Sequence, residues 1–124
     1  AHAWQVGRAL APLAARGFLV VASGNVTHNL GDYQAAWRNG GQTPAYVRQF
    51  SDWMAEHLAA HDLAALLDYR QQAPGAVQAH PSDEHLLPLY TALGAAGERP
   101  ATQRFHAGID DYVIAMDAYS FLPQ

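Results

Sequence analysis

The chain has 124 residues, a formal charge of −4, seven basic residues that are all arginine, no cysteine, and alanine at 25 positions. Half the residues are apolar and 15% are charged, which is the material for one domain with a buried core and excludes a disordered polyampholyte. The acidic balance excludes a footprint for phosphate backbones, so no nucleic-acid partner is expected, and the missing cysteines exclude disulfides, thiolate metal sites and a cysteine nucleophile, which fits a cytoplasmic location.

No apolar run approaches the roughly 18 residues that cross a bilayer, and Ala1–Gln5 lacks the basic stretch and apolar run of a signal peptide, so a soluble chain with no membrane partner is expected. Position 1 is not methionine, and Met54 and Met116 are the only methionines, so the chain is expected to be a piece of a longer one. From Ala3 to Arg16, Val6, Leu10 and Leu13 recur at helical spacing, with Gly17 where a left-handed cap would sit. Phe18–Ala22 then runs apolar without alternation, which predicts a strand covered on both faces, as in a parallel sheet. Ser23–Leu30 follows at the carboxyl end of that strand, where open α/β sheets place their ligands. Gly31–Gln42 reads as a polar loop ending in Asn39-Gly40-Gly41.

Thr43 and Pro44 predict a capped helix start, and Val47, Phe50, Trp53, Met54 and Leu58 mark the apolar face of a helix to about Ala60. Asp62 is placed to cap a second helix through Leu63, Leu66, Leu67 and Arg70, stopped by Ala73-Pro74-Gly75. After His80-Pro81-Ser82-Asp83-Glu84-His85 comes a helix over Leu86, Leu87, Tyr90 and Leu93, in which Pro88 should kink the helix or delay its regular start. Ala101–Ala107 and Tyr112–Phe121 predict an antiparallel strand pair joined around Gly108–Asp111. The expected class is α/β, with helices packed on a mostly parallel sheet, a C-terminal antiparallel strand pair, and too few strands for a complete sheet.

With cysteine absent, the seven histidines are the candidate soft ligands. His28 sits at the strand end between Asn25 and Asn29, which are placed to orient an imidazole; the plain alternative is a loop histidine satisfied by those neighbours. His80 and His85 frame Asp83 and Glu84, and histidines with adjacent acids suit a divalent first-row metal. Helix capping by Ser82, with the acids favoured by the helix dipole, explains the acids but not His85. His57 and His61 have the spacing of a zinc-protease helix without its glutamate and read as solvated surface, as do His2 and His106 as surface or strand positions. There is no Gly-x-Ser-x-Gly elbow and no phosphate loop.

Two segments together resemble a known family: Leu19-Val20-Val21-Ala22-Ser23-Gly24-Asn25-Val26-Thr27-His28-Asn29-Leu30 and His80-Pro81-Ser82-Asp83-Glu84-His85-Leu86-Leu87-Pro88-Leu89. In order and spacing, with His28 and His85 57 positions apart, they resemble the C-terminal half of the DOPA-dioxygenase group of class III extradiol ring-cleaving dioxygenases, the LigB-like superfamily. Leu93-Gly94-Ala95 and Met116-Asp117-Ala118-Tyr119 resemble its later segments, so residues 1–124 as a whole would form that half.

The resemblance implies an enzyme that holds one non-haem Fe(II), or Zn in its place, and opens a catechol-type substrate beside its hydroxyls with O2. It implies His85 as a metal ligand and His28 as a metal ligand or catalytic acid/base. It also implies further histidines in an N-terminal half, in a His-Gly-Ser-Pro turn, an Ala-His-Trp strand end and an Asp-His-Gly segment; none of these occurs here. The expectation is therefore a chain that supplies part of an active site, with the missing N-terminal half as its partner and poor activity alone. The alternative is a non-catalytic or structural zinc-binding α/β domain that keeps the fold.

Overall fold

A computed structural model describes every residue from Ala1 to Gln124. Its elements run α1 (His2–Leu10), α2 (Pro12–Ala15), α3 (Leu30–Arg38), α4 (Ala45–Ala59), α5 (Leu63–Leu67), α6 (Tyr69–Gln72), α7 (Ala76–Ala79), α8 (Leu87–Ala95), β1 (Ala101–His106), β2 (Ile109–Asp110), β3 (Ile114–Ala115) and β4 (Ala118–Leu122). α4 is the spine. Val47, Phe50, Met54 and Leu58, at helical spacing, are all but inaccessible to solvent and meet Leu66, Tyr69, Ala79, Leu86, Tyr90 and Val113 in one core. Burying each large side chain there contributes roughly 1.5–3 kcal/mol.

Pro44 stands before α4 with an extended ψ of 143° and makes no side-chain cap, so the helix begins one residue later than the Thr43-Pro44 pair predicts. Asp62 caps α5 as expected, accepting from the Ala65 amide at 3.1 Å. Pro88 falls in the first turn of α8, where its missing N–H costs nothing, and the regular helix starts at Leu87. Ser82 does not cap that helix; residues 81–86 form turns first, and the Ser82 hydroxyl donates to Glu84.

Three expectations are corrected. The N-terminal helix is broken at Pro12, and its buried contact is Gly7, not Val6. Gly7 and Gly94 let α1 and α8 cross with their backbones touching: a Cβ on Gly94 would overlap the Trp4 carbonyl oxygen, and one on Gly7 the Thr91 carbonyl oxygen. Second, the loop predicted over Gly31–Gln42 contains α3, because the Asn29 side chain accepts from the Asp32 amide at 2.9 Å and caps a helix with Asp32 in its first turn.

Third, the strand expected over Phe18–Ala22 does not form within this chain. The paired strands are antiparallel, β1 with β4 from Ala101 opposite Leu122 to a bulge before His106, and β2 with β3 inserted between them. The inserted turn holds Asp111 and Tyr112 at φ of 50° and 69°. Phe18–Ala22, expected as a buried strand, has no strand partner: no backbone hydrogen bond forms from Leu19 to Gly24, and Leu19 and Val21 are 85% and 78% exposed. The outer hairpin is held to α4 by Arg104, which bonds Asp117 at 2.6 Å and the Ser51 hydroxyl at 2.9 Å. No helix is long and apolar enough to cross a membrane.

Candidate functional site

Three backbone segments converge on His28. On one side, Val26 donates to the Ala115 carbonyl at 3.1 Å, and the buried Thr27 hydroxyl donates to Val113 O and accepts from the Ala115 amide, at 2.6 and 2.7 Å. On the other, Asn25 donates to the His85 carbonyl at 2.8 Å and His28 to the Ala79 carbonyl at 2.9 Å. Residues 25–28 and 79–85 thus run in opposite senses and are tied at both ends. Gly24 permits the approach, since a Cβ there would overlap the His85 carbonyl oxygen.

This lacing brings together the two histidines singled out from the sequence. The imidazoles of His28 and His85 stack with ring centroids 3.5 Å apart and planes at 21°. Burial, then the neighbouring His85, hold the His28 pKa below the ordinary histidine value, so the ring is neutral at pH 7 and available to accept a proton. The Ser82 hydroxyl, donating at 3.0 Å, holds the Glu84 carboxyl below its ordinary value; Glu84 Oε1 stands 3.5 Å from His85 Nε2. Beside the pair, a groove of about 570 Å³ opens between the Leu19–Val26 segment and β4, with His85, Tyr119 and Phe121 in its walls.

The other candidates fall elsewhere. His80 is fully buried, its ring bonded to the Val26 carbonyl. Asn25 and Asn29 do not orient His28: Asn25 donates to the Met116 sulfur at 3.1 Å, and Asn29 caps α3 and donates to the Gln78 carbonyl. His57 donates from Nδ1 to the Trp53 carbonyl and stacks on that indole, while His61 turns the chain at a φ of 55°, so they share no face. Sequence reading offered His80 with His85 as a candidate metal ligand and took Gly24 as a tight turn after the apolar run; it missed the bond from the His80 ring to Val26 and the approach of Gly24 to His85.

Imidazoles with a neighbouring carboxylate are the donor type a divalent first-row metal takes. Yet no group of three histidine, aspartate or glutamate side chains in this chain is arranged to hold a metal ion. The residues therefore fit part of a donor set, not a whole one.

The chain is 33% identical to 4,5-DOPA dioxygenase extradiol of Mirabilis jalapa over 123 residues, covering 98% of this chain and 45% of that protein. It is 32% identical to the protein of that name in Beta vulgaris, covering 97% and 44%, and 34% identical to that of Escherichia coli K12, covering 81% and 38%. It thus spans less than half the length of these relatives. Among solved structures it is similar to an uncharacterized Escherichia coli K12 protein, JW3007, with a TM-score of 0.75 at 28% identity over 94% of this chain and 48% of that one. Residues 1–113 match the family described as the catalytic LigB subunit of aromatic ring-opening dioxygenase, and the chain belongs to that family.

Proposed function

We propose that this chain is the C-terminal half of an extradiol dioxygenase domain and forms one side of an active site that opens a catechol-type ring with O2. The observation that carries the reading is the stacked His28–His85 pair beside an apolar groove. Family membership and relatives named 4,5-DOPA dioxygenase extradiol support the substrate class. His85, with its ring beside Glu84, is a metal ligand; His28, neutral and next to it, takes the proton of a catechol hydroxyl and returns it as the ring opens.

The bound metal, Fe(II) with Zn(II) as a possible substitute, would lower the catechol pKa and bring substrate and O2 together. Its remaining ligands come from the N-terminal half. The same half supplies strands beside Phe18–Ala22, whose open backbone and exposed apolar side chains suit the centre of a mostly parallel sheet. A cytoplasmic location completes the reading, supported by the absence of cysteine.

The test joins this chain to the N-terminal half of the Escherichia coli relative, loads Fe(II) without oxygen, and adds O2 with a panel of catechols. A coloured ring-opened semialdehyde is expected. His28→Ala should abolish it and keep the metal; His85→Ala should lose both. Turnover surviving in either variant removes that residue from the site, and full activity of the isolated chain overturns the half-site. Stoichiometric zinc without ring cleavage would favour a structural metal instead.

A further inference from the structure

His80 is the only fully buried histidine. Its carbonyl accepts from Arg70 Nη1 at 2.9 Å, its ring meets the Phe50 ring at 5.6 Å, and ring nitrogen Nε2 lies 2.6 Å from the Val26 carbonyl oxygen. A carbonyl only accepts, so Nε2 carries the proton and Nδ1 is bare. Nδ1 is buried and meets no partner. An apolar side chain of similar size would fill this space without orphaning an acceptor, so what histidine adds is the donor aimed at Val26.

That donor fills a gap in the lacing. The backbone bonds between residues 25–28 and 79–85 come at the two ends, Asn25 to His85 and His28 to Ala79. Between them the loop swings outward, with Pro81 and Ser82 exposed and Pro81 lacking an N–H. No backbone group of the loop bonds Val26 O, whose residue is tied to Ala115 through its own N–H. The His80 ring supplies the missing rung.

We propose that His80 is a positioning residue for the His28–His85 pair, its Nε2–H holding the Val26 carbonyl so that the strand end carrying His28 and the loop carrying His85 keep one register. This rests on the reading of those two histidines as site residues. Removing the rung frees the middle of the register, and the two rings then lose their fixed stacking.

The test uses the chain as it is, without metal, at pH 8, followed by NMR. The wild type should show the His28–His85 ring–ring nuclear Overhauser effect, and nitrogen shifts should report His80 as protonated on Nε2 and bare on Nδ1. His80→Leu should lose the ring–ring effect while the amide signals of α1 and α8 stay in place; His80→Gln, which keeps a donor, should restore it. A ring–ring effect of wild-type strength in His80→Leu overturns the proposal, as does its absence in the wild type. Should His80→Leu not fold, the tautomer decides: a His80 ring protonated on Nδ1 overturns it, and one protonated on Nε2 together with rescue by His80→Gln supports it. Lack of ring cleavage in the joined protein would sink the proposed function and leave these spectra unchanged, so the two failures are separable.

Discussion

Residues 18–23 and 24–28 are neighbours in the chain and opposites in structure. Asn25, Val26 and His28 each donate a backbone hydrogen bond to another segment, and Val26 and Thr27 are buried. Immediately before them, Leu19–Ser23 forms no backbone hydrogen bond and leaves Leu19 and Val21 exposed. An apolar run without alternation states that both faces want cover, but not which segment provides it. The site-forming stretch finds its partners within these residues; on the proposed reading, the stretch before it finds them in the other half of the protein.

That contrast predicts large costs on the satisfied side and small ones on the open side. The largest is expected at Arg104→Met, which leaves Asp117, with its side chain 1% exposed, without its cation. Breaking a buried pair on one side costs about 3–5 kcal/mol, read as a lowered denaturant midpoint. Gly94→Ala comes next. Its Cβ would meet backbone rather than a movable side chain, so α1 and α8 must separate, at about 2–3 kcal/mol. A melting temperature equal to the wild type would show that the crossing is looser than described.

A smaller effect is expected from acid. Burial is the main cause of the lowered His80 pKa, with His28, His85 and Arg70 adding to it, against the hydrogen bond to Val26. The unfolded chain takes up this proton near the ordinary value of about 6.5 and the folded chain does not. Stability should be level above that pH and fall below it, by up to about 1.4 kcal/mol per pH unit for this group, until the lowered folded pKa is reached. His80→Gln should flatten that limb in urea titrations across pH, leaving the part due to His28. The smallest effect belongs to the open side. Leu19→Thr with Val21→Thr should change stability by no more than about 0.5 kcal/mol; a loss of several kcal/mol would mean that the segment already packs on something.

What the sequence made legible followed local rules. The α4 stripe from Val47 to Leu58, the Asp62 cap and the delayed start of α8 at Pro88 were readable because spacing, side-chain acceptor and missing N–H act within one or two turns. α3 was missed because its signals, Asn29 and Asp32, look like loop residues until the helix is there to be capped. Of the candidate site, His28 and His85 were legible through their motifs, but their stacking was not, since it needs the close approach that Gly24 permits between segments far apart in sequence.

The stacked pair also joins residues whose intervening chain contains all of α3 to α7. Closing a loop of that length costs entropy that only the helical core between the two histidines can offset. The pair therefore cannot form in any local fragment or early hairpin. It appears only when the core has condensed and disappears as soon as the core opens, so any chemistry built on it follows the global folding equilibrium of the chain.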